Sequence, residues 1–339
     1  MRHQKIFYFC FSDNQSSGGN KEIYKHTEIL NNNGYEAYVL HTTVNFKITW
    51  FPHNARIIYI DAFEQLFDKQ TDFIVLPEDL GYDILSFPGN KIIFNQNMYY
   101  GFHIFGKQKP QTYPYLHSDI KGALVVSEHN KNYLKFAYPQ LDVFRVFCGV
   151  DLSKFSYQSL KNKKKKIACN PAKRPLDIAA VYHILQSRAE QGLNNLDEYE
   201  WIFIEDKTEL EVAQILQESL IFIFLSKEEG FPLMPLEAMA CGCLVFAYNT
   251  APITEYVHPT FLFDPGDFLS ITETIESITQ SFPAAAENWE TISEMGRDTA
   301  LQYSLELEQK SVVKAWQEIL HNNSTDCSLH SKQTKQIFT

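Results

Sequence analysis

The stretch that decides the fold is residues 220–247, LIFIFLSKEEGFPLMPLEAMACGCLVFA. It opens on six apolar residues, Leu220–Leu225, a run too short for a helix and rich in Ile and Phe, which reads as a strand buried on both faces. A second such run follows at Leu244–Ala247. Between them the pattern predicts a loop and then a short helix around Leu236–Ala240, with Pro235 at its first position, where no amide proton is needed. Strand, crossover helix and strand make a βαβ unit, so the two strands run parallel. Glu229 and Glu237 stand eight positions apart inside this unit. Taken singly, Glu229 reads as a solvated loop charge beside Glu228, and Glu237 as a first-turn anion favoured by its own helix dipole. Taken together, at the carboxyl end of a buried parallel strand, they read as a pair that holds a ligand.

The same alternation runs along the chain. Strands are expected at Lys5–Cys10, Glu36–Leu40, Arg56–Ile60, Phe73–Leu76, Lys91–Phe94 and Ala123–Val126. In the second half they are expected at Lys166–Cys169, Glu200–Ile204, Leu220–Leu225 and Leu244–Ala247, with helices at Leu176–Gln186 and Thr208–Gln217. The fold class is therefore α/β, with two Rossmann-like parallel-sheet domains facing a cleft. The polar, basic stretch from Ser156 to Lys166 reads as a linker face. The division drawn is residues 1–150, residues 151–305, a closing helix over 306–321 containing Trp316, and a polar tail over 322–339. The helical pattern of that closing element extends back to Ala300.

The composition narrows the function classes. At 339 residues with 45% apolar and 14% aromatic content, the chain suits two packed domains. A net charge of −11 argues against broad affinity for nucleic acid. Six scattered cysteines without a CxxC pair read as buried thiols in a reducing compartment. The first apolar run, Ile6–Phe11, is too short for a signal-peptide core, and no run reaches membrane-spanning length, so a cytoplasmic location is expected. No metal-ligand spacing is visible, and neither a metal nor another cofactor is expected.

The segment EEGFPLMPLEAMACGCLVFAYNTAPITEYV, residues 228–257, resembles the E-x7-E region of retaining GT-B glycosyltransferases of family four, close to E-G-F-G-x-x-x-x-E-A-M-A-x-G. The spacing selects Glu229 as the first glutamate. Further segments are similar to the family in the same order: SSGGNKEIYKHTEILNNNGYEAYVL, ALVVSEHNKNYLKF, VFRVFCGVDLSKF and FLFDPGD. The resemblance implies a GT-B architecture and transfer of a sugar from a nucleoside diphosphate sugar, such as a UDP- or GDP-sugar, with retention of configuration and without a metal. The acceptor is left open among glycans, lipid-linked molecules and small molecules, and so is peripheral contact with the inner face of a membrane.

The resemblance also assigns residues. Glu237 would accept both hydrogen bonds of the ribose diol, and Glu229 would meet the transferred sugar's hydroxyls. Amides around Gly230, Phe231, Pro232 and Leu233 would face the phosphates, with Asn170 beside them. Lys173 and Arg174 are the candidate cations for the leaving diphosphate, with a pair of surface basics before a helix as the other reading. In the first domain Gly18 and Gly19 would allow close backbone approach, with Asn97 and His103 on the acceptor side; His103 reads equally as a loop histidine. The chain departs from the family at Pro232, at Asn170 and Ala172 where an arginine is usual, and at Asn95–Asn97 where a histidine is usual. Pro232 and the missing histidine support a non-catalytic binding subunit as an alternative function. A nucleotide-sugar epimerase is the third.

Overall fold

The computed structural model describes residues 4–106 and 112–336. They divide into two compact units, one formed by the residues up to Phe147 together with those from Glu306 onward, the other by Cys148–Leu305.

The first unit contains, in order, β1 (Lys5–Phe9), α1 (Gly18–Asn32), β2 (Glu36–His41), β3 (Ile57–Tyr59), α2 (Ile60–Leu66), β4 (Phe73–Pro77), β5 (Asn90–Asn95), α3 (Met98–His103), β6 (Ile120–Val125), α4 (Glu128–Ala137) and β7 (Val143–Arg145). Its seven strands pair in parallel in the order β3-β2-β1-β4-β5-β6-β7. Every residue of β1 and β4 is buried, as the unbroken apolar runs require of strands covered on both faces.

The second unit contains β8 (Lys164–Cys169), α5 (Pro175–Glu190), β9 (Glu200–Phe203), α6 (Glu209–Glu218), β10 (Ser219–Phe224), α7 (Leu233–Ala240), β11 (Leu244–Tyr248), β12 (Leu262–Phe263), α8 (Phe268–Ser281) and α9 (Glu287–Leu301). Its parallel sheet has the order β12-β11-β10-β8-β9. Helices α5 and α8 pack together on one face, α7 and α9 on the other. Gly242 ends α7 with φ of +84°, and a Cβ there would lie 2.4 Å from the Gln158 carbonyl oxygen, so only glycine fits this turn.

Strand order fixes where each unit can bind a ligand. Chain progression reverses between β1 and β4 in the first sheet and between β8 and β10 in the second. In doubly wound sheets the binding crevice opens at that reversal, outside the carboxyl ends of the strands. The loops concerned are those entering α1 and following β4 in the first unit, and residues 170–174 and 225–232 in the second.

Three expectations need correction. The basic run is no linker: Lys164 and Lys166 lie on β8, with Lys164 Nζ 2.6 Å from Glu218 and Lys166 Nζ 3.0 Å from Glu200. The run lies inside the second unit, and its lysines pair with acidic groups of the adjacent strand and helix while Lys164 stays exposed. The single helix expected from Ala300 is broken after Leu301, and α10 starts at Leu305. There the Val150 amide donates to the Tyr303 carbonyl at 2.8 Å, and Val150 bridges Ser304, which takes this backbone out of helical pairing. Helix α10 then runs to Gln336, past the end drawn for the closing helix at 321 and through most of the polar tail; residues 337–339 lie outside the described residues.

Within the first unit α10 is tied down by buried groups. Trp316 is fully buried, and its indole N–H donates to the Tyr8 hydroxyl at 2.9 Å. Lys25 of α1 sits 2.7 Å from Glu308 and 2.9 Å from Glu22. Cys10, Cys148, Cys169, Cys241 and Cys243 are buried, and burial pushes the thiols of Cys10 and Cys169 up to about 12. No helix among the described residues is long and apolar enough to cross a membrane.

Candidate active site

The loop leaving β10 is anchored at each end. Ser226, buried, donates from Oγ to Glu229 Oε1 at 2.8 Å, and its own carbonyl accepts from Thr250 Oγ1 at 3.2 Å. Phe231 packs 5.3 Å, centroid to centroid, from the rings of both Tyr256 and Tyr303. The Tyr256 hydroxyl donates to the Pro232 carbonyl at 2.8 Å; burial, then the nearby Glu229 charge, raises that hydroxyl well above the usual tyrosine range. It therefore stays a donor, and the loop keeps one shape. Gly230, between Glu229 and Phe231, is buried.

Helix α7 starts two residues earlier than the sequence suggested for its first position. Pro232 is the N-cap, Leu233 the first helical residue and Pro235 the third, so Glu237 lies beyond the first turn. Both prolines occupy positions whose amides have no intrahelical partner, which is why neither breaks the helix. The same geometry removes two of the four free amides of the helix start and leaves those of Leu233 and Met234. It also removes the dipole explanation of Glu237, since the helix has no acidic residue in its first turn.

Strand β8 delivers the other side of the site. The Asn170 amide donates to the Ile223 carbonyl at 3.2 Å, and its side-chain Nδ2 lies 3.3 Å from the Met234 sulfur, so Asn170 bridges β8, β10 and the start of α7. Lys173 Nζ is 3.8 Å from Glu229 Oε1, with side-chain exposures of 49% and 14%. A pair this long and open contributes about 0–1 kcal/mol to stability, so its placement matters more than its strength. Arg174 turns toward Asp177, with Nε and Nη2 3.0 and 3.3 Å from its two oxygens. The structure thus brings Glu229, Lys173, Asn170 and the α7 start together, and seats Arg174 on Asp177. Asp177, Tyr248, Lys227 and Ser226 were missed in the sequence. Only the three-residue spacing of Arg174 and Asp177 at a helix start could have signalled any of them.

In the first unit Gly18 and Gly19 open α1, with Ser17 as N-cap. A Cβ on Gly19 would sit 2.1 Å from the Gln96 side-chain oxygen, while Gln96 Nε2 donates to the Gly19 carbonyl at 3.2 Å. Asn97 caps α3, and its backbone amide donates to Glu78 Oε1 at 2.6 Å. His103 closes α3, is exposed, and sets its ring 5.8 Å from that of Tyr99. Glu78, at the carboxyl end of β4, escaped the sequence reading. Burial, only partly offset by backbone amides, pushes its carboxyl up to about 8.

That shift carries a stability prediction. Because the folded value exceeds the ordinary 4.5, the folded chain keeps a proton that the unfolded chain releases as pH rises from about 4.5 to 8. Below this window Glu78 costs nothing; above it the cost is complete, on the order of a few kcal/mol. Glu78→Gln, which mimics the neutral acid, should melt near the parent at pH 5 and above it at pH 9. Equal differences at both pH values by calorimetry would contradict the buried neutral carboxyl.

Among the described residues, one group of potential metal ligands is assembled that the sequence did not suggest. Glu22, His26 and Glu308 bring ligand atoms within 4.8 Å of one another. The Lys25 ammonium already lies between the two carboxylates, supplying a cation of the protein's own.

Comparison with known proteins bears on this geometry. Residues 190–294, which include Glu229 and Glu237, match the family described as Glycosyl transferases group 1. An alpha-1,6-glucosyltransferase of Actinobacillus pleuropneumoniae serotype 7 (strain AP76) is 26% identical over 254 residues, 71% of this chain and 72% of that protein. Sucrose-phosphate synthase from Thermosynechococcus elongatus superposes with a TM-score of 0.69 at 15% identity, over 94% of this chain and 100% of that one. The fold is GT-B. Anabaena Alr3699/HepE in complex with UDP-glucose shares it, with a TM-score of 0.63 at 11% identity over 93% of this chain and 100% of that one. The group 1 match and the GT-B neighbours together support a glycosyltransferase.

Proposed function

We propose that this protein transfers a sugar from a nucleoside diphosphate sugar to an acceptor hydroxyl, with retention of configuration. The observation that carries the reading is the meeting of Glu229, Lys173, Asn170 and the α7 start at the strand reversal between β8 and β10. The UDP and UDP-glucose held by the Anabaena neighbour, and the UDP and GlcNAc held by the pneumococcal O-GlcNAc transferase GtfA, favour a nucleotide-sugar donor.

In this reading Glu229 hydrogen-bonds the transferred sugar, Glu237 takes the ribose diol, and the Gly230, Phe231, Leu233 and Met234 amides face the diphosphate. Pro232 shapes the loop without donating. Lys173 and Arg174 stabilise the charge that grows on the leaving diphosphate. The bond between the anomeric carbon and the phosphate oxygen breaks, the acceptor oxygen bonds to the same face of that carbon, and the acceptor's proton passes to the departing phosphate. Gly18, Gly19, Asn97 and His103 belong to the acceptor half. Cations of the chain, rather than a metal, meet the diphosphate. Free buried cysteines fit a reducing compartment such as the cytoplasm.

Thermal melting against UDP, GDP, ADP and dTDP tests the donor. The cognate diphosphate at a hundred times its Kd should stabilise by about 2.7 kcal/mol, and the others far less. NMR of the anomeric proton of the product then tests retention. A flat melting response to all four, or an inverted anomer, would refute the corresponding half of the proposal.

A further inference from the structure

The cations at the reversal of the second sheet are arranged around one buried acid. Asp177, in the first turn of α5, accepts from Arg174 Nε at 3.0 Å and from the Tyr248 hydroxyl at 2.7 Å on Oδ2, and from Arg174 Nη2 at 3.3 Å on Oδ1. Tyr248, the last residue of β11, is fully buried. A guanidinium gripped through Nε and one Nη is fixed in its plane and keeps its remaining nitrogen for another partner. The Arg174 side chain is 41% exposed, so the guanidinium is open to solvent as well as bound to Asp177.

Lys227 completes the set. Its Nζ lies 5.9 Å from the centroid of the Tyr248 ring. Burial pushes the Asp177 carboxyl up, but its bonds to Arg174 and Tyr248 and the charges of Arg174 and Lys227 more than offset this, so it stays below the usual carboxylate range. The acid therefore remains an anion and keeps its grip at neutral pH. Arg174 and Lys227 stand on the two loops that leave β8 and β10, the strands flanking the reversal. A pair made only to cap α5 has no need of a buried tyrosine from β11 to orient its acid, nor of a second cation from the neighbouring loop.

We propose that Asp177, held by Tyr248, is a positioning residue that aims the Arg174 guanidinium, and that Arg174 and Lys227 together form an anion subsite for the donor's diphosphate. This rests on the nucleotide-sugar reading above.

Titration calorimetry of the full chain with UDP, GDP, ADP, dTDP and inorganic pyrophosphate tests it, using the tightest nucleoside diphosphate for comparisons. Arg174→Ala and Lys227→Ala should each weaken that ligand and pyrophosphate about tenfold, the loss of one charge-assisted bond. Asp177→Asn should weaken binding severalfold in the parent and leave it unchanged in the Arg174→Ala background, because its effect passes through the guanidinium. Tyr248→Phe, which keeps the ring in the core, should repeat this dependence on Arg174 with a smaller loss. Affinity unchanged in Arg174→Ala, or an Asp177→Asn loss that persists without Arg174, overturns the proposal while leaving donor binding intact. Parent protein that binds none of the five ligands overturns both this and the donor reading.

Discussion

Replacing Glu229 with alanine is expected to lower the rate of sugar transfer by about 10²–10³-fold, the usual cost of removing one group that stabilises developing charge. The carboxylate is held by Ser226 Oγ at 2.8 Å and has Lys173 3.8 Å away, so it is oriented before any ligand arrives. A group fixed in this way acts on kcat, since no reorganisation is left for the transition state. Affinity for the free nucleoside diphosphate, which lacks the sugar, should stay within about threefold of the parent. Glu229→Gln, which keeps a hydrogen-bond acceptor but loses the charge, should fall between the two. The measurement is product formation from the donor identified by melting, alongside calorimetry with its diphosphate. Undiminished transfer by the alanine variant would remove Glu229 from the mechanism.

The second large effect belongs to Glu237. Two hydrogen bonds from a ribose diol to one carboxylate are each worth about 1.5–3 kcal/mol, so Glu237→Ala should weaken the donor by 10²-fold or more. The loss should appear in KM and in diphosphate affinity, with kcat much less changed. Glu237 lies past the first turn of α7, so its removal takes no charge from the helix start. Pyrophosphate, which has no ribose, should bind parent and variant alike. Equal losses for pyrophosphate and nucleoside diphosphate would assign Glu237 to the phosphates or to the fold instead of the sugar ring.

What could be read in advance follows from the range of the interactions involved. Buried parallel strands announce themselves because both faces are apolar, so β1, β4, β8 and β10 were legible to within a residue or two. The short β7 and β12 were not, since neither lies in an unbroken apolar run like the one, Ile57–Ile60, that marked the equally short β3. The start of α7 was misplaced because Pro232 and Pro235 both satisfy helix-start rules, and local sequence does not rank them. The break between α9 and α10 is paired by Val150, far away in the chain, and its local signal, Ser304 ahead of the acidic Glu306 and Glu308, was passed over because the helical period continues across it. At the site, the glutamate spacing pointed to Glu229 and Glu237. Glu78 escaped notice because its raised carboxyl comes from burial, which outweighs the amides of residues 96 and 97 that favour the anion and which no local pattern announces.

Trp316 has a consequence for biosynthesis. It lies against Tyr8 and Phe73, with ring centroids 6.3 and 5.7 Å away, yet belongs to a helix that follows the whole second unit in the chain. On the ribosome, residues 1–147 emerge long before this indole exists, leaving an apolar slot without its occupant. The first unit to be translated is thus the last to be finished, and the second can mature ahead of it.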